Sequence, residues 1–191
     1  MADIEIPNAK ELEEARGRTF TRRVALTTAI FAVLLAITSL GGNNATKEMM
    51  LSQQQSADQW AFYQSKTMRE HLYRGQKMRL EADLSLLRPA DRKAYEGLLA
   101  TFRGEEERYR TEKKKIEGDA KRIEETRDRN MAKDPYFDYA EVMLQIAIVL
   151  ASISILSLSL QVFLFSMVWA SLGTVFMING YLLIFRIPFF N

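Results

Sequence analysis

Cysteine is absent from the 191-residue chain, histidine occurs once, at His71, and glycine and proline number only nine and four. The missing cysteines exclude disulfides, thiolate nucleophiles and cysteine-ligated metal, and they leave the redox compartment open. A single histidine leaves a transition-metal site to be completed by carboxylates alone. Scarce glycine and proline suit a mostly helical chain. Net charge is small, at +2, too little for a field that steers nucleic acid, so no nucleic-acid partner is expected. No repeat of about 20–50 residues recurs, which argues against a solenoid. Nucleophile motifs, phosphate-binding glycine loops and paired carboxylates in a pocket are missing too. No enzyme, catalytic residue, cofactor or metal is expected.

What is present is segregated. Hydrophobic residues make up 48% of the chain, but they pool in two blocks while the charges collect in a third. A soluble core would interleave them at helical or strand spacing, which argues against a single globular core. The polar block, residues 44–138, holds 20 Lys/Arg against 18 Asp/Glu and organises the rest.

Ahead of the first apolar block, residues 1–23 carry an acidic run at 11–14 and a loose capping-box spacing from Asn8 to Glu11. Arg16, Arg18, Arg22 and Arg23 follow. No charge then occurs from 24 to 46. At about 1.5 Å per residue, residues 24–40 reach roughly 26 Å, just enough to cross a hydrocarbon core about 30 Å thick. A cleaved signal peptide is the competing reading, with Ser39-Leu40-Gly41 as the cut, but the leading region is long and acidic. A retained transmembrane helix over 24–43 is expected. The four arginines place residues 1–23 in the cytoplasm and the polar block on the extracytoplasmic, periplasmic side of a bacterial inner membrane.

The polar block reads as two helices of matched length, about 44–88 and 91–133. Pro89 breaks the helical ladder and disfavours a helical Arg88, Asp91 is a suitable cap, and Pro135 closes the second arm. The second arm has a seven-residue apolar series, Tyr95, Phe102, Tyr109, Ile116 and Ile123. Leu99 and Ala120 share its companion position with Glu106, Lys113 and Arg127. The first arm carries a drifting stripe of Ala57, Ala61, Met68, Leu72, Leu80, Leu84 and Leu87. One apolar core position out of two implies a thin antiparallel coiled-coil hairpin whose stability depends on neighbours.

Residues 142–185 contain no charge. One helix of that length would measure about 66 Å, twice the bilayer core, so two spans are expected with a turn near 157–161. Tyr136, Phe137 and Tyr139 before these spans, and Tyr181, Phe189 and Phe190 after them, fit an interfacial aromatic belt. The expected fold is therefore all-α: an integral membrane protein with three transmembrane helices and a long hairpin between the first and second. Its segments are 1–23, a first span 24–43, the hairpin 44–138, a second span 139–161, and a third span with the C-terminus at 162–191.

Two stretches, Ser56-Ala57-Asp58-Gln59-Trp60-Ala61-Phe62-Tyr63-Gln64-Ser65-Lys66 and Asp134-Pro135-Tyr136-Phe137-Asp138-Tyr139-Ala140-Glu141, with the arginine-rich start, resemble the bacterial membrane-protein family catalogued as domain of unknown function 4337. The resemblance runs from about Glu14 to the third span. It implies an inner-membrane protein with a long helical hairpin, and it brings no activity, cofactor or catalytic residue.

Several residue groups stand out as contact candidates. Trp60, Phe62 and Tyr63 form an aromatic cluster on a polar arm, either an anchor for a partner or the hairpin's own core near Asp119-Ala120. Thr28, Ala32 and Ala36 in the first span, and Ser166, Ala170 and Thr174 in the third, are small residues that allow close helix approach. Gln145, Ser152 and Ser159 recur every seven residues in the second span, and Ser154, Ser157 and Gln161 lie beside them. Such a stripe either packs helices or lines a pore between copies. The uncharged cores of the spans, within 24–46 and 142–185, hold no Asp, Glu, Lys, Arg or His, the usual marker of proton-coupled transport. His71 with Glu70, and the runs 105–107 and 113–115, read as solvated coiled-coil flanks before they read as a metal site or a docking motif. The expected role is a scaffold or accessory subunit that binds the lipid bilayer and forms a homo-oligomer or joins a larger membrane complex. A homo-oligomeric channel is the alternative.

Overall fold

The computed structural model describes residues 9–84, 86 and 88–185, with the side chains of 9–15 and 89–91 outside the described set. The expected Asn8–Glu11 capping box, the cap at Asp91, and the belt residues Phe189 and Phe190 fall outside it. Four helices follow in order: α1 (Ala9–Leu84), α2 (Pro89–Met131), α3 (Asp134–Ser157) and α4 (Leu160–Leu182). No strand occurs among the described residues. Three of the helices contain a stretch long and apolar enough to cross a membrane.

Gly41 and Gly42 do not end the first helix. Each costs about 1 kcal/mol against alanine in a helix interior, yet α1 runs through both in ordinary right-handed geometry. Pro89 opens α2, where its missing N–H would lack a helical partner in any case. Helix α3 starts after a tight link in which Lys133 N–H donates to the Asn130 carbonyl and Tyr136 N–H to the Lys133 carbonyl, each at 3.1 Å. The break between α3 and α4 falls at Leu158-Ser159. Leu158 adopts the left-handed region at φ 49°, and Ser159 N–H donates back to the Ser154 carbonyl at 3.2 Å. A left-handed leucine costs on the order of 1–2 kcal/mol, so packing of the two helices must enforce the turn.

The chain divides into two compact units, Met1–Lys47 with Asn130–Asn191, and Glu48–Arg129. In the first, Val24, Phe31, Leu144, Ala147, Ala151 and Ala170 form the buried core. Phe20 meets Phe163 edge to face at 6.0 Å. At the other end, the Tyr181 hydroxyl donates to the Ile37 carbonyl at 3.0 Å and Phe137 lies against Gly41. Helices α1 and α4 therefore run in one direction and α3 in the other. Seven positions of α3 are buried: Tyr136, and a stripe of Phe137, Ala140, Leu144, Ala147, Ala151 and Ser154 that alternates at spacings of three and four, the pattern of a left-handed helix seam. Most are small, and so are Ser166, Ala170, Gly173 and Gly180 on α4. A Cβ at Gly173 would come within 3.1 Å of the Ala140 carbonyl. Close backbone approach of this kind is how apolar helices gain packing without a hydrophobic driving force between them.

In the unit Glu48–Arg129, partners descend along α2 as they ascend along α1. Arg127 donates to Gln53, Trp60 Nε1 to Glu124 at 2.8 Å, Lys66 to Glu112 at 2.6 Å, Lys77 to Glu106, and Arg103 to Glu81 at 2.8 Å. Along α1 one inward stripe runs through Ser52, Ser56, Gln59, Tyr63, Lys66, Glu70, Tyr73, Lys77, Leu80 and Leu84, with Met49, Trp60 and Thr67 also half-buried. The corresponding stripe of α2 runs through Tyr95, Leu99, Phe102, Glu106, Tyr109, Lys113, Ile116, Ala120, Ile123 and Arg127. Both stripes alternate strictly at four and three, without a skip. The stripe expected on the first arm is corrected here: Ala57, Ala61, Met68 and Leu72 are exposed, and Met68 is 76% exposed. The seam of α1 is largely polar because its inward side chains make ion pairs and hydrogen bonds with α2 instead of a continuous apolar contact.

Candidate interaction surfaces

Glycine placement decides the first surface. The Phe137 ring, 3% exposed, fills the space left by two glycines on two helices. A Cβ at Gly41 would stand 2.6 Å from its Cε1, and one at Gly180 would stand 3.0 Å from the same atom. Tyr181 packs edge to face on the ring at 5.0 Å. Beside it, Thr46 Oγ1 donates to Asp134 Oδ1 at 2.8 Å. Burial and the neighbouring Asp134 hold the Asp138 carboxyl above its ordinary value. Thus the stretch 134–141 joins three helices at one end of the unit. Beyond α4, Asn179 clamps the chain: its Nδ2 donates to the Phe185 carbonyl at 2.8 Å and its Oδ1 accepts the Phe185 N–H at 2.9 Å. The Tyr136 hydroxyl donates to that same carbonyl at 3.0 Å.

The polar seam is the second surface. Glu70, 8% exposed, places Oε2 2.6 Å from Lys113 Nζ. That oxygen has no aligned hydrogen-bond donor, so charge holds the pair. One turn on, Glu106 takes both Lys77 and Arg74. Glu106, Lys113 and Arg127, which share the companion position of the α2 series with Leu99 and Ala120, thus each meet a polar partner on α1. Tyr109 stacks on Tyr73 at 5.6 Å. A hydrogen bond from Arg69, joined by one from Arg108, lowers its phenol from the ordinary value. The Lys66 hydrogen bond and its charge hold the Glu112 carboxyl below the usual carboxylate value against the opposing effect of burial.

The contact candidates distribute as follows. Trp60 and Tyr63 are half-buried within this unit, edge to face at 5.3 Å, with Lys113 Nζ over the Tyr63 ring. Phe62 is 50% exposed. Ser166 and Ala170 are buried, and Thr174 is half-buried with its hydroxyl donating to the Ala170 carbonyl. Thr28 is half-buried, whereas Ala32 and Ala36 face outward. Gln145 and Ser152 are exposed and Ser159 is half-buried. Ser152 Oγ donates to its own helix at Ile148 and Gln145 to Glu141. His71 is exposed, and among the described residues no three His, Asp or Glu side chains converge as a metal site. Ser154, buried inside the bundle, donates to the Ala151 carbonyl. The residues that reading the sequence missed are Gly41, Gly173 and Gly180. Their signal was glycine persisting inside apolar helical segments, where only close approach repays its cost.

These features define a helical protein with three membrane-length apolar helices and a separate charged two-helix unit. The chain belongs to the family described as Domain of unknown function (DUF4337), whose model matches residues 20–183. No curated protein and no solved structure matches it.

Proposed function

We propose that the protein is a non-enzymatic, membrane-anchored scaffold or accessory subunit that acts through homo- or hetero-oligomerisation. In this reading, three helices cross a bacterial inner membrane and residues 1–23 lie in the cytoplasm. The unit Glu48–Arg129 is an antiparallel coiled-coil hairpin on the periplasmic side. The observation that carries the proposal is the inward stripe of α1 from Ser52 to Leu84, where Leu80 and Leu84 are the two aliphatic residues among ten positions spaced at four and three. The buried apolar residues of this unit, Leu80, Leu99, Tyr109, Ile116 and Ala120, form a thin core for two helices of this length, and the half-buried ion pairs beside them contribute little net stability. Neighbouring chains supply the missing burial.

The test is the mass of the protein purified gently from its native membrane, with every co-purifying chain identified. A multiple of 22.0 kDa or a complex with defined other chains supports the reading; a monomer in both detergent and lipid nanodiscs overturns it. A reporter fused at Ala90 checks sidedness and is expected to read periplasmic.

A second reading, a homo-oligomeric channel, is favoured by the outward placement of Gln145 and Ser152, which would line a passage only between copies. Ser152→Leu and Ser159→Leu abolish conductance in a channel, whereas they leave the assembly of a scaffold intact.

A further inference from the structure

The two ends of the unit Met1–Lys47 with Asn130–Asn191 differ in charge. At one end Gly17 lies against Leu158, whose Cδ1 would stand 4.0 Å from an added Cβ, and Phe20 meets Phe163. This end therefore gathers Arg16, Arg18, Arg22 and Arg23 near the break between α3 and α4. All four arginines are exposed, and the stretch from Ser157 to Gln161 adds no charge. The other end carries Lys47 and Lys133 together with Asp134, Asp138 and Glu141. In the unit Glu48–Arg129, Lys66, Lys77 and Lys113 each meet a carboxylate. Among the described residues, Arg16, Arg22 and Arg23 meet none. The acidic residue that precedes Arg22 most closely is Glu14, about 12 Å away along the helix axis and beyond the screening length of about 8 Å at physiological salt. Val24, fully buried, opens the uncharged run to 46, so Arg22 and Arg23 stand at the margin of the apolar helices. Below Arg22, at steps of four residues, Leu26 and Ile30 leave 62% and 60% of their surface open. One outward line of α1 thus carries a cation above two bare aliphatic side chains.

We propose that Arg22 and Arg23, in the field of Arg16 and Arg18, bind the phosphates of anionic phospholipids at this end of the bundle. The inference rests on the reading that the three apolar helices cross a bilayer, and it holds whichever side they start from. Every cation here is arginine, whose planar guanidinium offers paired N–H donors to two oxygens of one phosphate, where lysine offers a point charge. The line of Arg22, Leu26 and Ile30 matches a lipid in order, headgroup first and acyl chain after. A soluble phosphate would use the arginine and leave the aliphatic line bare. A zwitterionic lipid presents the same phosphate with a cation attached, which the arginines repel, so a net negative headgroup is preferred. Each arginine near an anionic surface contributes about 1 kcal/mol, a fivefold change in binding. The opposite end, with its carboxylates, lacks this attraction.

The test uses the full chain, reconstituted into vesicles of phosphatidylglycerol and phosphatidylcholine in equal amounts and washed at alkaline pH. The protein is then released in mild detergent and weighed by native mass spectrometry with the lipids it retains. Phosphatidylglycerol is expected to outnumber phosphatidylcholine on the wild-type chain. Arg22→Gln with Arg23→Gln is expected to lower that preference about fivefold for each arginine removed. Lys114→Gln with Lys115→Gln, at exposed positions of α2, leaves it unchanged. Equal retention of the two lipids by the wild type, or an unchanged preference in the arginine variant, overturns the inference. Displacement of the lipid by inorganic phosphate, but not by chloride at the same ionic strength, assigns the arginines to a soluble anion and also overturns it. Should the arginine variant fail to insert, the wild type is measured across a salt series. The preference is expected to fall as salt rises, and a salt-independent preference overturns the inference. A wild-type chain that the alkaline wash strips from the vesicles overturns the membrane-spanning reading itself, whereas a chain that stays without lipid preference overturns the lipid site alone.

Discussion

The edge of the Phe137 ring rests on the bare Cα side of Gly41, where a side-chain carbon would lie 2.6 Å from the ring and 2.6 Å from the Tyr181 hydroxyl. No real Cβ tolerates such a distance, and the ring, pinned on its other side by Gly180, has nowhere to retreat. The Gly41→Ala variant is expected to lose about 1–3 kcal/mol through overpacking. Gly118→Ala, on an open face of α2, is expected to gain about 0.5–1 kcal/mol from higher helix propensity. Thermal unfolding of the two variants in one detergent checks the contrast; equal midpoints would refute the packing role of Gly41.

Glu70 and Lys113 form a pair that is mostly shielded from water, with side chains 11% and 19% exposed. Reversing either charge alone sets like charges together in the seam. Glu70→Lys combined with Lys113→Glu restores the attraction. A double-mutant cycle by urea unfolding is expected to give a coupling energy on the order of 1–3 kcal/mol. Strictly additive single effects would show that the pair has no mutual stabilisation.

Trp60 joins the arms through a charge-assisted hydrogen bond to Glu124. The Trp60→Phe change keeps an aromatic ring but removes the N–H donor and the smaller ring of the indole, so a loss of about 1–3 kcal/mol is expected. Since Ser56 is the other donor to that carboxylate oxygen, at 3.3 Å, Ser56→Ala should deepen the loss in the same background. Chemical unfolding followed by circular dichroism reads both.

Glu112 titrates below its ordinary value of 4.5 because Lys66 binds its charged form. A carboxyl with a depressed folded-state pKa stabilises the fold above its unfolded pKa and loses that contribution as pH falls through the folded value. The wild-type chain should therefore weaken progressively below about pH 4.5. The Glu112→Gln variant should show a shallower acid limb and lower stability at neutral pH. Unfolding midpoints taken across pH 3–7 provide the comparison, and superimposable acid limbs would exclude the Lys66–Glu112 contribution.

The order of the apolar and charged blocks was readable because long uncharged runs have few alternatives to helices buried in lipid or protein. The inward face of α2 was readable too, since Tyr95, Phe102, Tyr109, Ile116 and Ile123 repeat without interruption. The inward face of α1 was not. Apolar periodicity marks where hydrophobic residues lie, and on this helix Ala57, Ala61 and Met68 lie outward while Lys66, Glu70 and Lys77 turn in toward partners. Only the α2 charges opposite them identify that face, and those lie 29 to 46 positions away along the chain for the ion-paired lysines Lys77 and Lys66. Gly41 and Gly42 were similarly ambiguous, because a glycine pair reads equally as a helix end or as room for a neighbouring ring.

The unbroken spacing of the two facing seams, from Ser52 to Leu84 and from Tyr95 to Arg127, restricts how this gene can change in length. A single-codon deletion within either arm would turn every later residue by about 100°, carrying Lys77 away from Glu106 and methionines into the ion pairs. Seven codons removed from one arm alone would leave the other with an unmatched end. Length is therefore inherited in paired steps of seven, one in each arm, and the two distant stretches of DNA that encode them must gain or lose those steps together.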